Sequence, residues 1–188
     1  MGASRRPAMA TPFRPAVDLL ADYAAYHRDR RNIATHFVGV PMIVFGAGVL
    51  LARPAITAGN LALTPAWLAY SLAAAWYLTR GHAALGAITA LAVGLFVLLA
   101  HAVPGGLAGW LGWGLGFFVV GWIVQFVGHY YEGRKPAFVD DLTGLLVAPM
   151  FVLLEALASL GWFKGLAAEV ERRAGPTLIR DLAHPATR

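Results

Sequence analysis

Six histidines, ten acidic residues and no cysteine are what this chain has for chemistry. The missing cysteines remove disulfides, thiolate metal sites and cysteine nucleophiles. His27, His36, His82 and His129 fall at one common end of the apolar segments delimited below; His101 falls at the opposite end and His184 in a polar tail. His36 and His129 lie inside or at the edge of strongly apolar stretches, where an ionisable side chain is costly and marks a site. His82, His101 and His184 read as ordinary interfacial or solvated histidines. His129 and Glu132 are related as i and i+3, with Gln125 four residues before His129, so all three share one helical face. His27 and His36 are nine positions apart, about 900° on one straight helix and hence on opposite faces. They converge only if a helix begins between them, and Asn32, after an Asp29-Arg30-Arg31 turn, is the N-cap candidate. Three neutral imidazoles with a carboxylate nearby suit a first-row divalent metal: Fe(II) where oxygen chemistry is done, Zn(II) for hydrolysis. Asn32 and Gln125 are candidates to orient ligand imidazoles.

The elements that must carry these residues are membrane helices. Of 188 residues, 59% are hydrophobic and 13% charged, with a mean hydropathy of +0.62. A soluble domain of this length has too little interior for that much apolar surface. The apolar residues collect in runs 33–52, 61–79, 82–103 and 107–128, free of Asp and Glu and carrying no Lys or Arg. Each approaches the roughly 20 residues that span about 30 Å of hydrocarbon as a helix. The expectation is an all-α integral membrane protein, a single membrane domain over 1–188 with four transmembrane helices.

A fifth apolar run, 142–163, carries Pro149 and Glu155. Arg5, Arg6, Arg14, Arg28, Arg30 and Arg31 precede the first run, Arg53 and Arg80 fall in the first two connections, and Arg134 and Lys135 follow the fourth run. The tail 164–188 adds Lys164, Arg172, Arg173, Arg180 and Arg188. The positive-inside rule then places residues 1–32, the second connection and the segment after the fourth helix in the cytoplasm of a bacterial-type inner membrane. A re-entrant or interfacial helical segment at 142–163, broken at Pro149, keeps the basic tail on that side; a fifth crossing is the alternative. The net charge of +5 is this anchoring pattern, and no nucleic-acid partner is expected. The first 26 residues lack the apolar core of a signal peptide. Leu19, Tyr23 and Tyr26 instead mark a short amphipathic helix on the membrane surface. Gly105, Gly109, Gly112 and Gly116 recur every three or four residues in the fourth helix, a small-residue stripe for helix packing or a homo-oligomer contact.

Two blocks carry a resemblance. Tyr26-His27-x4-Asn32-x3-His36-x4-Pro41 resembles the amino-terminal signature of a membrane family long described as a domain of unknown function, whose fungal member is a 2-hydroxy-fatty-acid dioxygenase of phytosphingosine breakdown. Gly121-Trp122-Ile123-x-Gln125-Phe126-x-Gly128-His129, followed by Glu132-Gly133-Arg134-Lys135-Pro136-Ala137, resembles its second signature. The likeness runs from about His27 to Glu155.

The resemblance implies an Fe(II)-dependent enzyme with His27, His36 and His129 as ligand candidates and Glu132 as a further one. Two residues separate Glu132 from His129 here and three in the fungal form, and either spacing keeps the pair on one face. The implied reaction uses O2 to cleave the C1–C2 bond of a 2-hydroxy fatty acid, leaving an acid one carbon shorter without 2-oxoglutarate. The acyl chain would lie in the bundle or the bilayer, with Arg134 and Lys135 holding the carboxylate. Two alternatives remain at this point. One is a membrane haem protein with His36 and His129 as axial ligands, and the other a small transporter or scaffold with proton-coupled or structural histidines.

Overall fold

The computed structural model describes residues 12–53, 55–59, 61–133 and 142–182, and these form helices α1 (Ala16–Ala25), α2 (Arg30–Ala52), α3 (Pro65–Leu78), α4 (Ala83–His101), α5 (Leu107–Glu132), α6 (Thr143–Ser159) and α7 (Lys164–Ala174). Between α2 and α3 lies an antiparallel hairpin, β1 (Ile56–Ala58) and β2 (Leu61–Leu63), with Ile56 opposite Leu63. Gly59 in the turn has φ +61°, the left-handed region that a tight hairpin demands.

Among the described residues, α2, α4 and α5 are long and apolar enough to cross a membrane, and α6 with α7 adds a fourth candidate if that bent pair counts as one span. The helix expected over 61–79 is shorter than its apolar run. Residues 61–63 belong to the hairpin, the Thr64 hydroxyl caps α3 by accepting from the Trp67 N–H, and Pro65 sets its first turn. What remains is 14 residues, roughly 21 Å of helix.

The break expected at Pro149 does not occur there. Pro149 sits inside α6, as Pro41 sits inside α2. The chain breaks instead at 160–163, where Gly161 and Phe163 take φ +99° and +52° and the path bends by 119° into α7. An interior proline costs a helix about 3 kcal/mol. In α6 the offset is burial: Val147, Met150, Phe151, Val152 and Leu154 all enter the core.

The α1 face expected on a membrane surface is covered by protein. Leu19, Leu20, Tyr23 and Ala24 are buried in a cluster shared with Phe151 and Leu154 of α6 and Val170 of α7. Arg173 of α7 pairs with Asp18 at 2.7 Å at the exposed edge.

The helices α2 and α5 pack through glycines, though not those of the expected stripe. A Cβ on Gly46 would lie 2.5 Å from the Phe118 backbone N and 2.8 Å from the Gly114 carbonyl oxygen. A Cβ on Gly39 would lie 3.0 Å from the Gly121 carbonyl. The contact face of α5 therefore carries Gly114, Gly121 and Gly128, seven residues apart, together with Gln125, His129 and Glu132. Gly112 and Gly116 have open space where a Cβ would stand. The close approach serves the polar end of α5, since the glycines that let the backbones meet share its face.

Candidate metal centre

The turn from α1 to α2 and the last turn of α5 meet at one end of the bundle. Asp29 caps α2, its side chain accepting from the Arg31 N–H at 2.9 Å. The helix thus begins between His27 and His36, as their spacing requires, but at Asp29 and not at the expected Asn32, which lies in the first turn. Gly133, φ +64°, ends α5 by donating its N–H to the His129 carbonyl at 2.9 Å. His129 and Glu132 consequently occupy the final helical turn.

His27, His36 and His129 are buried, and their ligand atoms lie within 4.8 Å of one another. Ring centroids are 4.4 Å apart for His27–His36, 5.1 Å for His27–His129 and 5.4 Å for His36–His129. His27 Nδ1 meets the Tyr23 carbonyl at 2.6 Å and His36 Nδ1 meets the Asn32 carbonyl at 2.8 Å. A carbonyl only accepts, so both Nδ1 atoms carry the proton and both Nε2 atoms keep a free lone pair. Histidines that bind metals are oriented by this kind of outer hydrogen bond. His27 Nε2 and His129 Nδ1 are buried with no hydrogen-bond partner. Buried orphan nitrogens are costly, and a cation shared by the three rings removes that cost. The donor set therefore fits a divalent ion with nitrogen preference.

Tyr23 stacks on His27 at 4.1 Å between centroids with planes 15° apart, and Phe151 lies 5.8 Å away. Burial, reinforced by His36, lowers the His27 pKa well below its ordinary value, and the Tyr23 carbonyl only partly opposes this. The imidazole is held neutral, the form a metal takes.

Glu132 lies outside this cluster of ligand atoms. Its Oε2 accepts from the Asp29 backbone N–H at 2.8 Å and from Asn32 Nδ2 at 3.1 Å, so it ties α5 to the start of α2. Asn32 also supplies the carbonyl that orients His36, and its Oδ1 is buried without a partner. Burial alone would raise the Asp29 carboxyl, but the Arg31 side chain and the backbone N–H groups of Arg180 and Arg31 outweigh it and hold the carboxyl below its ordinary range.

A cavity of about 290 Å³ starts at His36, His129 and Tyr23. It is walled by Val40, Val44 and Ala47 of α2, Phe118 and Trp122 of α5, and Leu145 and Ala148 of α6. From His36 to Ala47 it follows α2 for roughly 16 Å. Its wall is apolar except near the histidines, where Gln125 presents a buried Oε1 with no partner.

Residues 13–160 match the family described as 2-hydroxy-palmitic acid dioxygenase Mpo1-like. The chain belongs to that family. It is also 34% identical over 155 residues to the 2-hydroxy-palmitic acid dioxygenase MPO1 of Saccharomyces cerevisiae, covering 81% of this chain and 85% of the yeast protein. No solved structure matches it.

Of the other expected residues, Arg134 and Lys135 lie outside the described residues. His82 caps α4, accepting from the Leu85 N–H at 3.4 Å, and its ring meets Phe163. His101 bonds Thr64 at 2.9 Å and stacks on Trp67, remote in sequence from the three-histidine cluster and bonded into the α3–α4 pair. Sequence reasoning missed Tyr23 as a partner of His27, although its position one helical turn before that histidine was the available signal. It also missed Arg180, for which no local pattern exists.

Proposed function

We propose that this chain is an Fe(II)-dependent dioxygenase converting 2-hydroxy fatty acids to acids one carbon shorter at the cytoplasmic face of a membrane. The observation that carries the reading is a cluster of three buried imidazoles, two of them with orphan nitrogens, from which His36 and His129 line an apolar cavity. His27, His36 and His129 are the residues that would hold the ion. When bound, Fe(II) supplies the redox chemistry with O2 that protein side chains lack.

In the overall reaction the C1–C2 bond of R–CHOH–COOH breaks, and with one O2 the products are R–COOH, CO2 and water. The substrate loses four electrons and the dioxygen gains them, so no further reductant is needed. The protein's own part is placement. The cavity along α2, α5 and α6 takes the acyl chain and excludes water from the reacting end. The Gln125 Oε1 accepts a hydrogen bond from the substrate 2-hydroxyl, which distinguishes hydroxylated acids from plain ones. Tyr23 and Asn32 fix the orientations of His27 and His36 through their carbonyls, and Glu132 braces the turn that carries them. Arg134 and Lys135, which follow Gly133 in the sequence, are basic residues of the kind that hold a carboxylate by charge-assisted hydrogen bonds. Arg28, Arg30 and Arg31 at the histidine end favour the cytoplasmic side.

Convergence of three rings, in place of two facing each other across a slot, suits a small ion better than a porphyrin. The test is purified protein, reconstituted with Fe(II), given 2-hydroxypalmitate in air. The expected product is a C15 acid, absent under anaerobic conditions and absent from the His129→Ala variant. No C15 acid from iron-loaded wild type would overturn the reading.

A further inference from the structure

Beyond α7 the chain returns to the histidine end, past the residues 13–160 that match the family. Asp29 and Leu178 form a parallel β-bridge: Arg30 donates its N–H to the Leu178 carbonyl at 3.0 Å, and Leu178 donates to the Arg28 carbonyl at 2.8 Å. Two residues on, the Arg180 N–H donates to Asp29 Oδ2 at 2.8 Å and its carbonyl accepts from the Arg31 guanidinium at 2.8 Å. The Arg180 guanidinium itself donates to the Glu132 carbonyl at the end of α5. The Arg28 guanidinium meanwhile donates to the Gly175 carbonyl.

We infer that residues 175–182 are a strap that holds the His27 turn and the His129 turn in register, with Arg180 as its positioning residue. Arg180 touches both sides: Asp29 is two positions from His27, and Glu132 is three from His129. The direct link between these turns is the Glu132 carboxylate, bonded to Asp29 and Asn32. The strap adds a second link: a backbone bridge at Leu178 fixes it to the start of α2, and the Arg180 guanidinium carries it across to the end of α5. Neither α1 nor α5 is long enough past its ligand to fix the other. The turn between α1 and α2 is three residues of non-helical chain after Tyr26, and α5 stops at Gly133. A loose His27 would cost metal affinity before it cost any helix.

This inference rests on the reading of the three histidines as a metal centre, and the experiment separates the two. Full-length protein, a form ending at Ala174, and the variants Arg180→Ala, Arg180→Lys and His129→Ala are titrated with Co(II), followed by visible absorption. Helix content is read by circular dichroism. We expect one His129-dependent Co(II) in the wild type. The shortened form and Arg180→Ala should bind it at least about tenfold more weakly with shifted absorption bands and unchanged helix content. Arg180→Lys, which keeps a donor for the Glu132 carbonyl, should recover part of the affinity. Wild-type affinity and spectrum in Arg180→Ala would overturn the strap and leave the metal centre standing. No His129-dependent Co(II) in the wild type would overturn both. Should the shortened form fail to fold, Arg180→Ala decides alone.

Discussion

Glu132 Oε2 accepts a hydrogen bond from Asn32 Nδ2 at 3.1 Å, and the Asn32 carbonyl in turn orients His36 at 2.8 Å. The carboxylate thus acts on an imidazole through one intermediate residue. A glutamine in its place keeps one acceptor oxygen for these two donors but loses the charge, and a ligand role would require the charge. Glu132→Gln is expected to retain one metal ion per chain with affinity reduced about 10- to 100-fold. Complete loss of metal, as in His129→Ala, would show that Glu132 is itself a ligand.

Gly128 stands where α5 crosses the first turn of α2. A Cβ there would run into the Thr35 hydroxyl and approach Asn32 Oδ1 to 2.5 Å. Gly128→Ala should therefore lower stability by about 1–3 kcal/mol, as overpacking does, and lower metal content with it. Removing the first obstacle in the double variant Thr35→Ala/Gly128→Ala should restore part of both. Equal thermal stability of Gly128→Ala and wild type would refute the close approach.

Gln125 is buried, and its Oε1 has no partner in the protein. A leucine of similar size removes the acceptor and keeps the wall. Gln125→Leu is expected to keep its metal while kcat/KM for 2-hydroxypalmitate falls by about 5- to 13-fold, the cost of one lost hydrogen bond of roughly 1–1.5 kcal/mol. Competition between 2-hydroxypalmitate and palmitate, each measured as an inhibitor or substrate, should show the discrimination shrinking. Unchanged discrimination would remove Gln125 from substrate recognition.

The far end of the cavity is set by Ala47 and Phe118. Ala47→Phe fills that end without touching the histidines. The variant should prefer 2-hydroxy acids several carbons shorter than the wild type does, in a series from C8 to C18, with metal affinity unchanged. The same chain-length profile in both proteins would place the acyl chain elsewhere, in the bilayer.

What was legible in the sequence was whatever depends on neighbours along the chain. His36 and His129 stand out because imidazoles in apolar surroundings are conspicuous, His27 joins them through the resemblance of its Tyr26-His27 block, and the helix start between His27 and His36 follows from nine positions of spacing. The N-cap fell to Asp29 because its carboxylate is fixed by Arg31 and Arg180, and Arg180 is 151 positions away. Likewise Pro149 taken locally predicts a break, and the core around Phe151 and Leu154 holds the helix through it. The glycines at 105, 109, 112 and 116 match a packing stripe, but the buried face of α5 is the one that carries Gln125, His129 and Glu132. Long-range partners, not local propensity, decided each of these cases.

His27 carries a pH signature of its own. In the folded protein burial and His36 lower its pKa, so the ring stays neutral. In the unfolded chain it takes up a proton near the ordinary pKa of about 6.5. Below that pH the unfolded state binds more protons, and stability must fall as pH falls, by at most about 1.4 kcal/mol per pH unit for this one group. Above pH 7 both states are neutral and His27 contributes no slope. Metal-stripped wild type is therefore expected to lose stability progressively from about pH 6.5 downward, and His27→Gln, whose side chain does not titrate, should show a shallower fall. Denaturation in detergent at half-unit steps from pH 8 to 5 gives the comparison. Parallel curves for the two proteins would mean that His27 keeps its ordinary pKa in the folded state and that burial does not hold the ring neutral.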